Sequence, residues 1–327
     1  MSYINSLVDK VFVINLDKDK ERLNKIDAAL RGQGIGYERI PGILGSTVKE
    51  DPRLTGFCNI FCTDGIKGCA LSHHTAWEQM LKNGYSRILV FEDDAIIPSD
   101  FDAKVREVMA KLPQDYDVVF LGCRFFCSNK SITQKIGHTV MGTSPEPFEE
   151  NISRVNGSMG SHAVLYTSDF VKRIINQPIN THIDIQLQTW IKHFKAKAYG
   201  VNPEIVDTVT NPTESNIGDA FPPLANGFLS KFEFSEKVPL NWALAENLWK
   251  IGPVNINGYI VFMTLLAIFL PFWIIPILFI WLALEVFTAR DIKNGLRYSI
   301  FLLLGGCINV GLQNLKLFMF PFKSKQK

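Results

Sequence analysis

Runs of apolar side chains alternate with segments of helical periodicity over the first two hundred residues. "KVFVINL" (10–16), rich in β-branched and aromatic residues, predicts a buried strand, and "DKDKERLNKIDAALRGQG" behind it predicts a helix stopped by Gly32 and Gly34. A short extended piece, "IGYERIPGI", and a loop of about twenty residues lead to "GCALSHHTAWEQMLKNG", where Leu71, Ala76, Met80 and Leu81 return roughly to one helical face. "RILVFEDDAII" is the next strand, followed by a helix near 100–111, a strand "DYDVVFLG" near 115–122 and an irregular stretch to about 158. "SHAVLYT" predicts another strand, "SDFVKRIINQ" and "DIQLQTWIKHF" two helices, and "AKAYGVNP" a short final strand. This alternation predicts an α/β fold with a mostly parallel sheet, helices on both faces and ligands bound at the carboxyl ends of the strands.

Beyond residue 250 the pattern changes. No charge occurs from Ile251 to Leu284, and a second uncharged run extends from Tyr298 to Leu315. Each meets or approaches the roughly 20 residues that cross a ~30 Å hydrocarbon core as helix. The chain therefore divides into a catalytic region, 1–250, and a C-terminal membrane anchor, 251–327, with apolar helical segments at about 259–284 and 298–320. Pro271 and Pro276 interrupt the first run, and each removes a helical hydrogen bond. Two topologies stay open. Length favours a hairpin of two crossing helices; gathering Arg290, Lys293, Arg297, Lys316, Lys323, Lys325 and Lys327 on one face favours a re-entrant or interfacial anchor.

Composition narrows the function. In 327 residues, 47% apolar, 34 basic side chains nearly balance 32 acidic ones, so a polycationic nucleic-acid binder is excluded. "MSYINSLVDKVFVINLDKDK" carries no basic residue before Lys10 and too short an apolar stretch for a secretion signal, so the catalytic region is expected to be membrane-associated on the cytoplasmic side. Six cysteines suit that compartment as reduced thiols; the C-x3-C pairs Cys58/Cys62 and Cys123/Cys127 lack the usual zinc spacing.

"VFEDDA" places Glu92, Asp93 and Asp94 where an α/β sheet offers its ligand site. Ser99 or Asp100 already caps the following helix, which leaves the acids without a capping task. On an extended segment Glu92 and Asp94 face one way while Asp93 turns elsewhere. Such a pair suits Mg²⁺ or Mn²⁺ shared with phosphate oxygens.

Four blocks, "VFVINLDKDKERL", "GCALSHHTAWEQML", "ILVFEDDAII" and "HIDIQLQTW", in this order over roughly residues 9–217, resemble glycosyltransferase family 25, which includes lipopolysaccharide sugar transferases and collagen galactosyltransferases. The resemblance implies a GT-A-type nucleotide-sugar-binding domain that transfers galactose or glucose from a UDP-sugar with inversion. By it Asp94 contacts the metal and Glu92 the metal or the ribose, Asn15, Leu16 and Arg22 lie at the nucleotide side, and Ser72 and His73 match the second block. His73 as a buried helix residue, and Trp77 as a core residue rather than a sugar platform, remain equally simple readings.

Inverting displacement needs a base for the acceptor hydroxyl. Asp184, at a strand-to-helix junction in "THIDIQLQ", is the candidate; an N-cap is the competing role. Pro203 and Ser215 match the family's closing segment, while Asp207 stands where a glutamine is expected and offers a further metal contact. Gly157 and Gly160 are expected to let backbone approach the sugar. An apolar tail presents the enzyme to a lipid-linked glycan acceptor. The rival classes are a membrane-bound scaffold of the same fold without chemistry, and a glycosidase, which also uses two carboxylates.

Overall fold

Alternation along the strands sends Phe12 and Ile14 to one side of a central sheet and Val11 and Val13 to the other, each side into its own apolar core. The computed structural model describes residues 2–209, 218–235 and 237–314. These fall into two compact units, one drawn from Met1–Thr210 with Phe234–Lys237, the other from Asn211–Glu233 with Val238–Lys327.

In the first unit the order is α1 (Ile4–Leu7), β1 (Lys10–Asn15), α2 (Lys20–Gly32), β2 (Glu38–Pro41), α3 (Gly56–Phe61), α4 (Asp64–Lys82), β3 (Arg87–Glu92), β4 (Ala95–Ile96), α5 (Phe101–Lys111), β5 (Val118–Phe120), α6 (Ile132–Met141), β6 (Glu146–Glu149), β7 (Ile152–Arg154), β8 (Ala163–Thr167), α7 (Ser168–Ile174), α8 (Ile183–His193), β9 (Ala198–Val201) and β10 (Asp207–Thr208). Eight strands form one sheet in the order β2-β1-β3-β8-β5-β9-β7-β6. One core gathers Trp77, Tyr166 and Phe170 around α4, α7 and α8; the other holds Ile26, Phe91 and Phe101 under α2 and α5.

The sheet is mixed, not mostly parallel. β1 runs parallel to β2 and β3, and β5 to β9, but β8 is antiparallel to both β3 and β5, β7 to β9 and β6 to β7. A parallel neighbour needs a crossover to the far end of the sheet. Here the chain between β5 and β8 instead makes α6 and the β6–β7 hairpin, then re-enters the sheet at the carboxyl end of β3, with Ala163 opposite Phe91.

The expected irregular stretch up to 158 is thus ordered in part. α6 opens with a capping box, in which Ser131 accepts from the Gln134 amide while the Gln134 side chain accepts from the Ser131 amide. The cysteines also depart from expectation: Cys58–Cys62 and Cys123–Cys127 are disulfides, with Cα separations of 4.6 and 5.9 Å. Side chains four residues apart meet across a helical turn, which brings the first pair within bonding reach.

In the second unit α9 (Pro223–Leu229), α10 (Leu240–Ala245) and a hairpin of Asn247–Ile251 with Val254–Asn257 precede three apolar helices, α11 (Gly258–Phe269), α12 (Ile274–Ala289) and α13 (Ile292–Asn314). The expected helix 259–284 is two helices, because Pro271 has no N–H to continue the ladder after Leu270 bonds Leu266. The second segment starts earlier, at Ile292; residues 315–320 lie outside the described residues. Among the described residues α13 is the one helix whose length and composition would cross a membrane.

The N-terminal turn is fastened from α5: Asp102 accepts from the Ser2 hydroxyl (2.6 Å) and from the Tyr3 and Ile4 amides (both 2.9 Å). Partial burial alone would raise the Asp102 carboxyl, but the Ser2 hydroxyl and these amides more than reverse it and hold it below the ordinary value. A depressed folded-state value means the stabilisation is complete above about pH 4 and fades as pH falls through the folded value. Asp102→Ala is expected to lower the unfolding free energy by about 1–2 kcal/mol at pH 7, read from urea midpoints, with the gap to the parent protein closing at acid pH.

Candidate active site

At the carboxyl end of β3 the three acids are sorted into different surroundings. Glu92 continues the β3 alternation of Ile88 and Val90 and so points to the α4 side. There its Oε1 lies 3.1 Å from His73 Nε2 and accepts from the Ser161 hydroxyl at 2.7 Å. Its amide donates to the His162 carbonyl at 3.1 Å, a bond that exists because β8 starts beside the end of β3. Burial disfavours the ionised form, but the hydrogen bond and charge of His73, with Ser161, bring the Glu92 carboxyl down to about 2. Ionised Glu92 only accepts, so His73 Nε2 is the donor.

Asp93 turns to the β1 side. It accepts from Asn15 Nδ2 at 2.7 Å and from Arg22 Nη1 at 3.2 Å. Burial still leaves its carboxyl above the ordinary value, with Asn15 and Arg22 opposing the shift. Asn15, itself buried, also donates to the Asp19 carbonyl at 2.9 Å and accepts from Arg39 Nε at 2.9 Å, so one amide ties β1, α2 and the acidic turn together.

Asp94 is left with the least support. Burial first, then the charge of Glu92, push its carboxyl up to about 7, against the opposing Arg22 charge and a hydrogen bond from the Thr208 side chain. Its Oδ1 is buried without a hydrogen-bond partner among the described residues. A carboxylate crowded by a like charge, with one oxygen unanswered, accommodates a proton or a cation.

The remaining expected residues divide. Arg22 and Asn15 join the acidic turn, whereas Leu16 lies against Gly42. Ser72 is turned inward, donating to Gly68 O at 2.6 Å and accepting from the Ile43 amide at 2.8 Å. His74 bonds Ile175 O at 2.9 Å, and Trp77 is a fully buried core residue set edge-on to Tyr166 and Trp190. Asp184 is not the N-cap of α8: that position is His182, and Asp184 stands in the first turn. Burial, and then the charges of Asp184 and Glu92, raise the buried Tyr166 phenol well above its ordinary value.

Several participants escape sequence reasoning. Ser161 and His162 reach Glu92 only because β8 is antiparallel. Gly122 and Gly160 leave room for the His162 ring, which a Cβ at either position would overlap; Gly157 abuts Gln188. Arg124, fully buried after β5, pairs with Asp207, lies 3.7 Å from Glu204 and donates to the Thr208 carbonyl at 3.2 Å. Lys237 adds contacts of 3.3 Å to Glu204 and 3.5 Å to Asp207. Asp207 is therefore engaged by cations, and β10 lies antiparallel on β4 with Thr208 opposite Ala95. A lone arginine in the apolar "VVFLGCRFF" was the visible signal. Ser215 lies outside the described residues.

The unanswered Asp94 Oδ1 is an oxygen donor of the kind Mn²⁺ or Mg²⁺ takes, while among the described residues Cys69, His73 and Glu92 bring ligand atoms within 4.8 Å of one another, a thiol–imidazole–carboxylate set suited to a softer ion.

The graded acidic cluster stands at a strand's carboxyl end, where an α/β sheet offers its ligand site. The family description "Glycosyltransferase family 25 (LPS biosynthesis protein)" matches residues 8–215, and the chain belongs to that family. Similar relatives include a glycosyltransferase 25 family member of Aedes aegypti, 24% identical over 213 residues (58% of this chain, 33% of the relative). Over 128 residues, 35% of this chain, human procollagen galactosyltransferase 2 is 25% identical and human inactive glycosyltransferase 25 family member 3 is 28% identical; these stretches are 20% and 22% of the respective relatives. The chain thus spans a third or less of the length of these relatives. Among solved structures, A197 from STIV aligns at TM-score 0.34 and 18% identity over 60% of this chain and 83% of its own. Mouse xyloside xylosyltransferase 1 aligns at 0.31 and 10% over 61% and 78%. At these scores neither alignment supports a structural argument.

Asn15→Ala deletes two donated bonds and one accepted bond in a buried setting and strips Asp93 of a partner. A loss of about 1–3 kcal/mol of stability is expected by chemical denaturation, against a near-neutral effect for exposed Lys49→Ala.

Proposed function

We propose that this chain is an active, metal-dependent, inverting hexosyltransferase that moves galactose or glucose from a UDP-sugar to a lipid-linked, lipopolysaccharide-type glycan. Residues 1–250 act as a GT-A-like catalytic domain on the cytoplasmic face, and 251–327 as its membrane anchor. The observation that carries the reading is the Asp94 carboxyl, whose buried oxygen lacks a partner beside the charge of Glu92. Family membership supplies the reaction class.

Asp94 and Glu92 would hold Mn²⁺ or Mg²⁺. When bound, such an ion neutralises charge on the departing diphosphate. The chain's own residues do the remaining work. His73 and Ser161 keep Glu92 ionised, and Asn15 and Arg22 fix Asp93 away from Asp94. Arg124 holds the strap that carries Thr208 to Asp94. Asp184, sharing the surroundings of Tyr166 with Glu92, takes the acceptor proton as the new glycosidic bond forms.

Relatives named inactive favour one second reading, a scaffold without turnover. Full-length protein in detergent, offered a panel of UDP-sugars with Mn²⁺, separates the two: release of UDP with transfer from one donor supports the enzyme, and silence with every donor supports the scaffold. Asp94→Asn is expected to reduce turnover to background while raising the melting temperature, because it removes a charge that the folded state disfavours. Turnover that persists in strong chelator would remove the metal from the reading. Asp184→Asn is expected to lower kcat by about 10²–10⁴-fold with little change in KM; an unchanged kcat would exclude it as the base.

A further inference from the structure

We propose that α11 and α12 form a re-entrant hairpin that enters a lipid bilayer without crossing it, entering and leaving by the face that carries Arg290, Lys293 and Arg297. The inference rests on the second unit alone and is independent of the catalytic reading.

Directions come first. Asn257 meets Tyr298 (Nδ2 to Oη, 2.8 Å), Gly305 lies against Thr264 and Ala267, and Asn309 reaches Ala267 and Leu270, so residue numbers rise together and α11 runs parallel to α13. Gly295 lies against Val286 and Gly306 against Ile275, so α12 runs the opposite way. The chain goes out along α11, turns at residues 270–273, and returns along α12 to the level at which it started.

Depth follows from length. At ~1.5 Å per residue, the 12 residues of α11 reach about 18 Å and the 16 of α12 about 24 Å, both short of a ~30 Å hydrocarbon core. Neither crosses.

The turn is built for surroundings without water. A helix end frees carbonyls that hydrocarbon cannot satisfy, and irregular backbone at that depth persists only where protein answers it. The buried Asn309 amide does so, donating to Ala267 O at 2.9 Å and Leu270 O at 2.7 Å. Around it the exposed side chains, Phe269, Phe272 and Trp273, are large and apolar.

Charge among the described residues of these helices is confined to the other end. Asn257 caps α11 by accepting from the Ile260 amide, Arg297 pairs with Asp219 at 2.5 Å, and Glu285 accepts from the Leu224 and Ala225 amides at 2.7 and 2.8 Å. Arg290 and Lys293 sit at the same end, at the α12–α13 junction. Between this end and the tip the three helices expose apolar side chains on their outer surfaces, among them Phe262, Leu265, Ile277, Ile280 and Leu303. A protein partner would cover one side; apolar surface on all three helices with charge at one end only matches the interior of a bilayer, with basic residues at its anionic headgroups.

Single cysteines in the full-length chain, with Cys69 and Cys307 replaced by serine, test this in spheroplasts and in inverted membrane vesicles of a bacterial host. Asn255→Cys and Asp291→Cys are expected to react with a membrane-impermeant maleimide from the same side. Phe272→Cys is expected to react from neither side until detergent is added, and Leu270→Cys to repeat that result should the first variant misfold. Labelling of the tip from the side opposite Asn255→Cys would establish a crossing hairpin and overturn the proposal. Tip labelling without detergent at the Asn255→Cys rate, or Asn255→Cys and Asp291→Cys on opposite sides, would overturn it equally. None of these readings depends on turnover.

Discussion

Consecutive carboxylates repel one another, and the acidic corner exists because each of the three is answered by a different neighbour. Glu92 is kept charged by an imidazole and a hydroxyl, Asp93 is raised by burial against the pull of an amide and a guanidinium, and Asp94 has the least to offset burial and the charge of Glu92. The gradient across three residues, from about 2 to about 7 at its ends, arises from neighbours contributed by β1, α2, α4, β8 and the segment after β9. Groups that differ in this way within one site divide chemical roles between them.

The parts of this corner that follow from local pattern were legible in the sequence. Strands at Lys10 and Arg87 and helices at Lys20, Asp64 and Ile183 announce themselves by run length and period, and the acids stand at the end of β3 as a strand-end motif should. Partner choice was not legible. That Asn15 rather than Leu16 serves the site follows from the side of β1 on which each falls. That Ser72 faces inward while His73 meets Glu92 follows from the ~100° step between neighbours on a helix. Ser161 stayed hidden for a topological reason, since no periodicity says in which direction a strand enters a sheet.

The same limit explains the sheet and the tail. Alternation of strand and helix suggested parallel pairing, but the stretch after β5 holds its own short helix and hairpin, which return the chain to the near end. Pro271 was visible as an interruption of the first run, but not that it divides the run into helices of 12 and 16 residues, or that an asparagine 38 residues later answers the freed carbonyls. Ser131 and Gln134 stand at capping-box spacing within the stretch expected to be irregular, and there they open α6.

Antiparallel β8 also bears on the order in which the molecule is made. Every group in the corner, from Asn15 to Thr208, leaves the ribosome before the first residue of α11, because the segments that answer the three acids are all encoded upstream of the apolar helices. Domains generally fold as units, beginning from the N-terminus during synthesis. The first unit thus has its full complement of residues while the apolar helices are still being translated, and its acidic corner can form before they are complete.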